Sequence, residues 1–415
     1  MRCISFAVTE KLYYGDAALA TFEARVLSVQ TVDGKCAVQL DRTAFYPGGG
    51  GQPADRGTLG DSRVIDMRGD DGSVVHFVEP AFPGAAVGTM VRGAVDQARR
   101  RDYMVQHTGQ HIFSQALVRA AGLETVSVHF GEDDTTVEVK ADTVEDAALR
   151  AAEDIANTVI KENRPVLLHE VDPSEASRFP LRRTPPDVGR LRIVEVEGFD
   201  WAACGGVHVA RAGEVFLVKA TVVEKIRGRA RIHVMIGRRA VEDYGRKVAL
   251  LQSLSRALTC GEPFVLDRVN ELLAREKDTA RELRQLRLAQ AAADADDSTS
   301  AARSLGPALC VRRVLDAAGP EYLKTFVERV ISVPGRVVIA IDRAADSFQW
   351  IVAHSLGAAL DLADVVPPLL EAAGAKGGGR GGRMQGMGSR PDAAPAFADA
   401  VEESVGRNLG AKEKA

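Results

Sequence analysis

Two pairs of metal-competent residues, each spaced i to i+4, constrain this chain more than any other feature. His107 and His111 stand in "QHTGQH", inside a run whose apolar residues recur at helical spacing; Cys204 and His208 stand in "CGGVH". Residues four apart share one helix face, so the first pair can present two imidazoles to a common point. The glycines of the second pair let the backbone fold tightly about an ion. Taken alone, the first pair reads equally well as one packed and one solvent-facing histidine. Taken together, three imidazoles and one thiolate are the donors that tetrahedral zinc favours, and such an ion would tie a helix to a distant loop. The first pair lacks the glutamate of HExxH, so a zinc-protease mechanism loses its general base. Two chemistries stay open: a structural ion if all four ligands remain bound, or a catalytic one if substrate or water can reach it.

The chain has 415 residues, 46% of them hydrophobic and 27% charged, which implies two or three globular domains. No apolar run approaches the roughly 18 residues of a membrane span, and "MRCISFAVTEKLYYGD" lacks the layout of a signal peptide, so a cytoplasmic protein with no membrane partner is expected. Cys3, Cys36, Cys204, Cys260 and Cys310 lie far apart with no CxxC pair. A special cysteine is therefore expected to be a ligand or a nucleophile and not half of a disulfide. Net charge is −4, so nucleic-acid binding requires a local basic surface.

The expected fold class is α+β multidomain. Residues 1–95 show short apolar runs broken by Gly, Asp and Pro turns, the pattern of a small N-terminal β-barrel. Residues 96–240 form an α+β domain containing both metal pairs, with a helix from Asp96 to Ala121 stopped by Gly122 and another from about Val144 to Asn163. Residues 241–297 read as a helical or coiled-coil arm, and residues 298–415 as a C-terminal α/β domain. In that last domain "KGGGRGGRMQGMGSRPD" is expected as a glycine-rich loop before a final helix from about Pro395 to Asn408.

"RTAFYPGGGGQPADRG", "QHTGQHIF", "CGGVHV" and the glycine-rich C-terminal module occur in this order. In this the chain resembles the alanyl-tRNA editing proteins of the AlaX type, free-standing relatives of the editing domain of alanyl-tRNA synthetase. It is similar to their long form, which adds a coiled-coil arm and a C-terminal domain called DHHA1. Only some twenty residues precede "FEARVLSV", so the chain is not expected to charge tRNA itself. It has no Asp-His-His run to support phosphoesterase chemistry.

The resemblance implies an aminoacyl-tRNA hydrolase that removes serine, or glycine, from mischarged tRNA(Ala). A pocket built for a methyl group cannot strongly reject a small hydroxyl-bearing analogue, so a second site must remove the error. It implies one Zn2+ per chain held by His107, His111, Cys204 and His208. Thr43 matches a threonine placed to meet the serine hydroxyl, against an ordinary strand or turn residue. Gly49, Gly50 and Gly51 with Gln52 match the "GGGQ" element beside the editing site, against a tight barrel loop; Gly48 stands where relatives carry an acid. His129 resembles a polar position lining the pocket, against a half-buried core histidine.

Contact with tRNA is assigned to Lys376, Arg380, Arg383 and Arg390 of the tail, with further basic clusters at Arg99–Arg101, Arg182–Arg183 and Arg227–Arg239. A homodimer through the C-terminal domain is a further expectation. The alternatives are an RNA-binding protein with a purely structural zinc and no hydrolase activity, and a general metal-dependent esterase.

Overall fold

The computed structural model describes residues 8–70, 72–81, 86–185 and 188–412, so Cys3 lies outside the described residues. Cys36, Cys204, Cys260 and Cys310 are free thiols. The chain forms two compact units, Met1–Leu254 and Ser255–Ala415.

In the first unit six strands close a barrel: β1 (Thr21–Val32), β2 (Lys35–Leu40), β3 (Gly57–Leu59), β4 (Ser62–Asp70), β5 (Ser73–Glu79) and β6 (Met90–Val95), in the order β1-β2-β5-β4-β3-β6. Closure leaves no free sheet edge. Val26, Val38, Leu40, Phe45, Leu59 and Val74 fill the interior.

The barrel feeds directly into the 25-residue helix α1 (Gln97–Ala121). Asp96 caps its start by accepting the Arg99 N–H at 3.1 Å, and Gly122 ends it in the left-handed conformation. Packing buries this helix almost all round from Tyr103 to Leu117, the two histidines included. Strand β7 (Thr125–Phe130) follows it, and it shares a core with strand β8 (Thr135–Val139), helix α2 (Asp146–Lys161), and strands β9 (Val166–Val171), β10 (Leu191–Val196), β12 (Val218–Ile226) and β13 (Arg229–Ile236); strand β11 (Asp200–Ala203) lies between β10 and β12 in the chain. Four of these strands form a sheet in the order β12-β13-β8-β7, and β9-β10-β11 form a second. Gly109, between the histidines, is dictated by this packing. A Cβ there would stand 2.5 Å from Ile236 Cγ2 and 2.9 Å from Val215 Cγ1.

Helix α3 (Arg238–Leu258) runs across the division, and α4 (Val265–Ser298) follows a short turn. Leu266, Leu272, Leu273 and Leu286 of α4 are exposed, while Ala291 and Ala295 pack on Tyr322 and Phe326 of α5 (Pro320–Ile331). Six strands make the sheet of the second unit: β14 (Arg303–Leu305), β15 (Ala308–Asp316), β16 (Arg336–Arg343), β17 (Phe348–His354), β18 (Ala375–Arg380) and β19 (Arg383–Gly388), in the order β14-β15-β16-β17-β19-β18. The last helix is α6 (Ala394–Lys412).

The glycine-rich tail corrects the expected loop, because it forms the β18–β19 hairpin at the sheet edge. Its glycines answer to the close backbone of the paired strand, where a Cβ at Gly379 would stand 2.0 Å from Arg383 O, and to aromatic rings laid across the strands. A Cβ at Gly377 would stand 2.5 Å from Trp350 Cζ2, one at Gly386 2.7 Å from the same atom, and one at Gly388 2.0 Å from Phe348 Cε1. No helix among the described residues is long and apolar enough to cross a membrane.

Candidate metal centre and cavity

His107 and His111 from α1 meet Cys204 and His208 from the turn after β11, with one ligand-capable atom of each lying within 4.8 Å of the others. Cys204 Sγ is 3.4 Å from His107 Nε2 and 3.4 Å from His208 Nε2. Each imidazole is anchored through its other nitrogen. His107 Nδ1–H donates to Gln52 Oε1 at 2.8 Å, His208 Nδ1–H donates to Thr108 Oγ1 at 3.1 Å, and His111 Nδ1–H donates to Asp200 Oδ2 at 3.3 Å. The Gln52 carbonyl and the Asp200 carboxylate can only accept, which fixes at His107 and His111 the tautomer that leaves Nε2 free to bind an ion; the Thr108 hydroxyl holds His208 with the same nitrogen turned toward Cys204. Three imidazoles and a thiolate with this orientation fit a tetrahedral metal.

The turn carrying Cys204 is held just as closely. Arg192 donates to the carbonyls of Cys204 at 2.9 Å and Gly206 at 2.6 Å, lies over the Tyr14 ring at 4.8 Å, and Tyr14 donates its hydroxyl to Gly205 O at 3.2 Å. A Cβ at Gly206 would stand 2.2 Å from His107 Cε1 and 2.8 Å from Gln52 Oε1, so only glycine fits between ligand and anchor. On the barrel side the buried Arg100–Asp55 pair clamps the glycine loop to α1. Arg100 Nε donates to Asp55 Oδ1 at 2.9 Å and Arg100 Nη2 to Ala44 O at 2.6 Å, while Asp55 Oδ2 accepts the Tyr46 N–H at 2.6 Å.

Burial opposes charge on each group here, and neighbours decide the outcome. Burial and the adjacent His107 push His208 down to about 3. At His111 burial lowers the value, but Asp200 and the Cys204 thiolate outweigh it and carry it up to about 9. Burial would raise the Cys204 thiol, yet His107 and His208 hold it well below its usual range. Asp200 is likewise raised by burial and brought below the carboxylate range by His111 and Arg182. A thiolate is the form that a metal takes up.

The centre opens on a cavity of about 550 Å³ whose wall includes Lys11, Tyr14, Tyr46, Gly48, Gly49, Gly50, Gln110, Thr125, Arg182 and Arg183. The expected site residues distribute unevenly around it. Gly49 and Gly50 reach the wall, whereas Gly51 is exposed and does not line it; a Cβ there would stand 3.1 Å from Val128 O. Gln52 is an anchor for His107 and not a cavity group. Thr43 is fully buried in the barrel; its hydroxyl donates to His76 Nε2 at 2.9 Å and accepts the Phe45 N–H at 3.1 Å. His129 is exposed on β7, because strand alternation turns it away from the side on which buried Phe130 packs at 5.2 Å against His107.

The basic clusters are also largely spent within the protein. Arg229 and Arg231 pair with Glu138, Arg239 with Asp102, Arg101 with Glu214, and Arg383 with Glu328. Lys376 and Arg380 are exposed on β18, and Arg390 donates to Ala372 O. Asp200, Arg192, Thr108 and Tyr14 were not among the expected site residues, and Arg182, expected as a tRNA contact, instead pairs with Asp200. The available signal was a carboxylate, Asp200, four residues before the ligand Cys204, since ligating histidines need such an anchor.

The family model described as tRNA synthetases class II (A) matches residues 7–99. The alanine–tRNA ligase of Halorubrum lacusprofundi is 31% identical over 95% of this chain and 44% of its own length. That of Halobacterium salinarum is 33% identical over 87% of this chain and 40% of its own. The chain thus spans less than half the length of these ligases. A solved structure, the C-Ala domain from Aquifex aeolicus alanyl-tRNA synthetase, aligns with 25% of this chain and 97% of that one at 20% identity and a TM-score of 0.24. The alanyl-tRNA editing protein AlaX-M of Methanosarcina acetivorans is 34% identical over 54% of this chain and 96% of its own length. With nearly all of that relative covered, the chain belongs to the alanyl-tRNA editing protein family.

Proposed function

We propose that this protein is an aminoacyl-tRNA deacylase that hydrolyses, in trans, the ester joining serine to tRNA(Ala), with glycine as a further substrate. The observation that carries the reading is that three imidazoles, each anchored at Nδ1, and one thiolate converge on the wall of an open cavity. The metal is Zn2+, held by His107, His111, Cys204 and His208, and when bound it supplies a positive centre that polarises an ester carbonyl or a water.

The chain's own residues do the rest. Lys11 and Arg183 on the cavity wall offer charge for the phosphate next to the terminal base. Gly49 and Gly50, with φ of 145° and 58°, keep the wall free of side chains so that the ester can come close. Gln52, Asp200 and Thr108 hold the imidazoles in place. Thr43 acts at a distance, fixing the strand that leads through Phe45 into the glycine loop.

The chain divides into a barrel domain (1–95), an editing domain (96–240), a helical arm (241–297) and a DHHA1-like domain (298–415), acting in the cytoplasm. Lys376, Arg380 and Arg383 of the last domain contact the tRNA body, and this domain pairs two copies of the chain. The hairpin supports the first role, because exposed backbone of Gly377–Gly379 lies between Lys376 and Arg380. A four-ligand set also suits a structural ion in an RNA-binding protein. Hydrolysis of Ser-tRNA(Ala) beside Ala-tRNA(Ala) separates the readings. Fast loss of serine with alanine spared supports deacylation, and cleavage of neither ester leaves an RNA-binding protein.

A further inference from the structure

Strand β11 presents one anchor and one ligand to the metal centre: Asp200 at its start holds His111, and Cys204 follows its last residue, Ala203. Asp200 is fully buried, so its carboxylate is costly to keep charged without a counter-charge. Arg182 supplies one from the cavity wall, with Nε against Oδ1 and Nη2 donating to Oδ2 at 3.1 Å. That same Oδ2 accepts the His111 Nδ1–H at 3.3 Å. Side-on pairing of a rigid guanidinium with both carboxylate oxygens fixes the carboxylate plane, and with it the direction of Oδ2. The Arg182 amide donates to Trp201 O at 3.3 Å, on the residue after Asp200, so the arginine and the carboxylate are tied to one strand. The Arg182 side chain is only 17% exposed, whereas the neighbouring Arg183 is open to solvent.

We infer that Arg182 is a positioning residue of the metal centre: paired with Asp200, it aims the carboxylate that orients His111, and it serves the bound ion instead of a tRNA phosphate. The inference rests on the proposed metal at His107, His111, Cys204 and His208 and needs no particular substrate. Simple charge repulsion works in the opposite direction, since a guanidinium near a dication disfavours it. Removing Arg182 therefore has opposite consequences under the two effects: looser metal if the orientation of His111 dominates, tighter metal if repulsion does. Orientation dominates here because Asp200 bonds both groups and its negative charge offsets that of the guanidinium.

The test titrates the metal-stripped full chain with zinc against a chelator, and with Co2+ by visible absorption. It compares wild type, Arg182→Gln, Arg182→Lys, Asp200→Asn and the double variant Arg182→Gln/Asp200→Asn. Arg182→Gln is expected to weaken zinc by about tenfold and to move the d–d bands of bound Co2+, which report ligand geometry. Arg182→Lys, a point charge without the fork, is expected to recover little of either. In the Asp200→Asn background the arginine has no carboxylate to aim, so the double variant is expected to match Asp200→Asn. Cooperative thermal unfolding is the check that each variant has folded. Should Arg182→Gln alone fail it, the double variant, which removes both charges of the pair, carries the test beside Asp200→Asn. Unchanged or tighter zinc in Arg182→Gln, full recovery in Arg182→Lys, or a further loss in the double variant overturns the inference while the metal reading stands. Failure of wild type to take up zinc overturns both.

Discussion

His76 in the barrel and the three histidines of the metal centre are equally deep in the same unit, yet they are built for opposite purposes. Both nitrogens of His76 end on protein: Nδ1–H donates to Val38 O at 3.2 Å, and Nε2 accepts the Thr43 hydroxyl. Burial pushes its value down to about 4, so it is a neutral packed ring. His107, His111 and His208 each give Nδ1 to an anchor and gather around the Cys204 sulfur. A buried histidine satisfied at both nitrogens is architecture. One satisfied at a single nitrogen, among others like it, is a ligand.

The sharpest way to break this contrast is to remove a ligand. Cys204→Ala is expected to lose bound zinc by elemental analysis and to lower deacylation by at least about a hundredfold, since each ligand carries a share on the order of 3 kcal/mol of a structural site's binding energy. Retained stoichiometric zinc would contradict the ligand assignment.

On the architectural side, pH gives the next effect. An unfolded histidine takes up a proton near 6.5, while folded His76 resists protonation down to about 4. Its contribution is therefore whole above pH 6.5 and is lost as pH falls toward 4, by up to about 3 kcal/mol. Unfolding midpoints of wild type and His76→Gln across that range should differ in slope; parallel curves would remove His76 from the account.

The smallest effect concerns an anchor. Asp200→Asn keeps the shape beside His111 but removes the charge, and it is expected to weaken zinc by about tenfold in a chelator competition. Unchanged affinity would mean that Asp200 serves Arg182 alone.

What could be read in advance depended on whether the cause was local. The i, i+4 pairs and helix α1 were legible because spacing, an Asp cap and a Gly stop all lie within the segment they govern. The barrel was legible from its turns. The tail was misread because its glycines answer to Trp350 and Phe348, on a neighbouring strand. Arg229 and Arg231 looked like nucleic-acid contacts because their acid, Glu138, lies on another strand. The anchors Gln52 and Thr108 carry no spacing rule, and only the fold brings them to His107 and His208.

The most direct test of the central claim is a zinc titration of metal-stripped protein, following bound metal and the rate of serine release from Ser-tRNA(Ala) together. The account predicts that rate and occupancy rise in proportion and saturate at one ion per chain. Full activity in the stripped protein, or none at full occupancy, would contradict it.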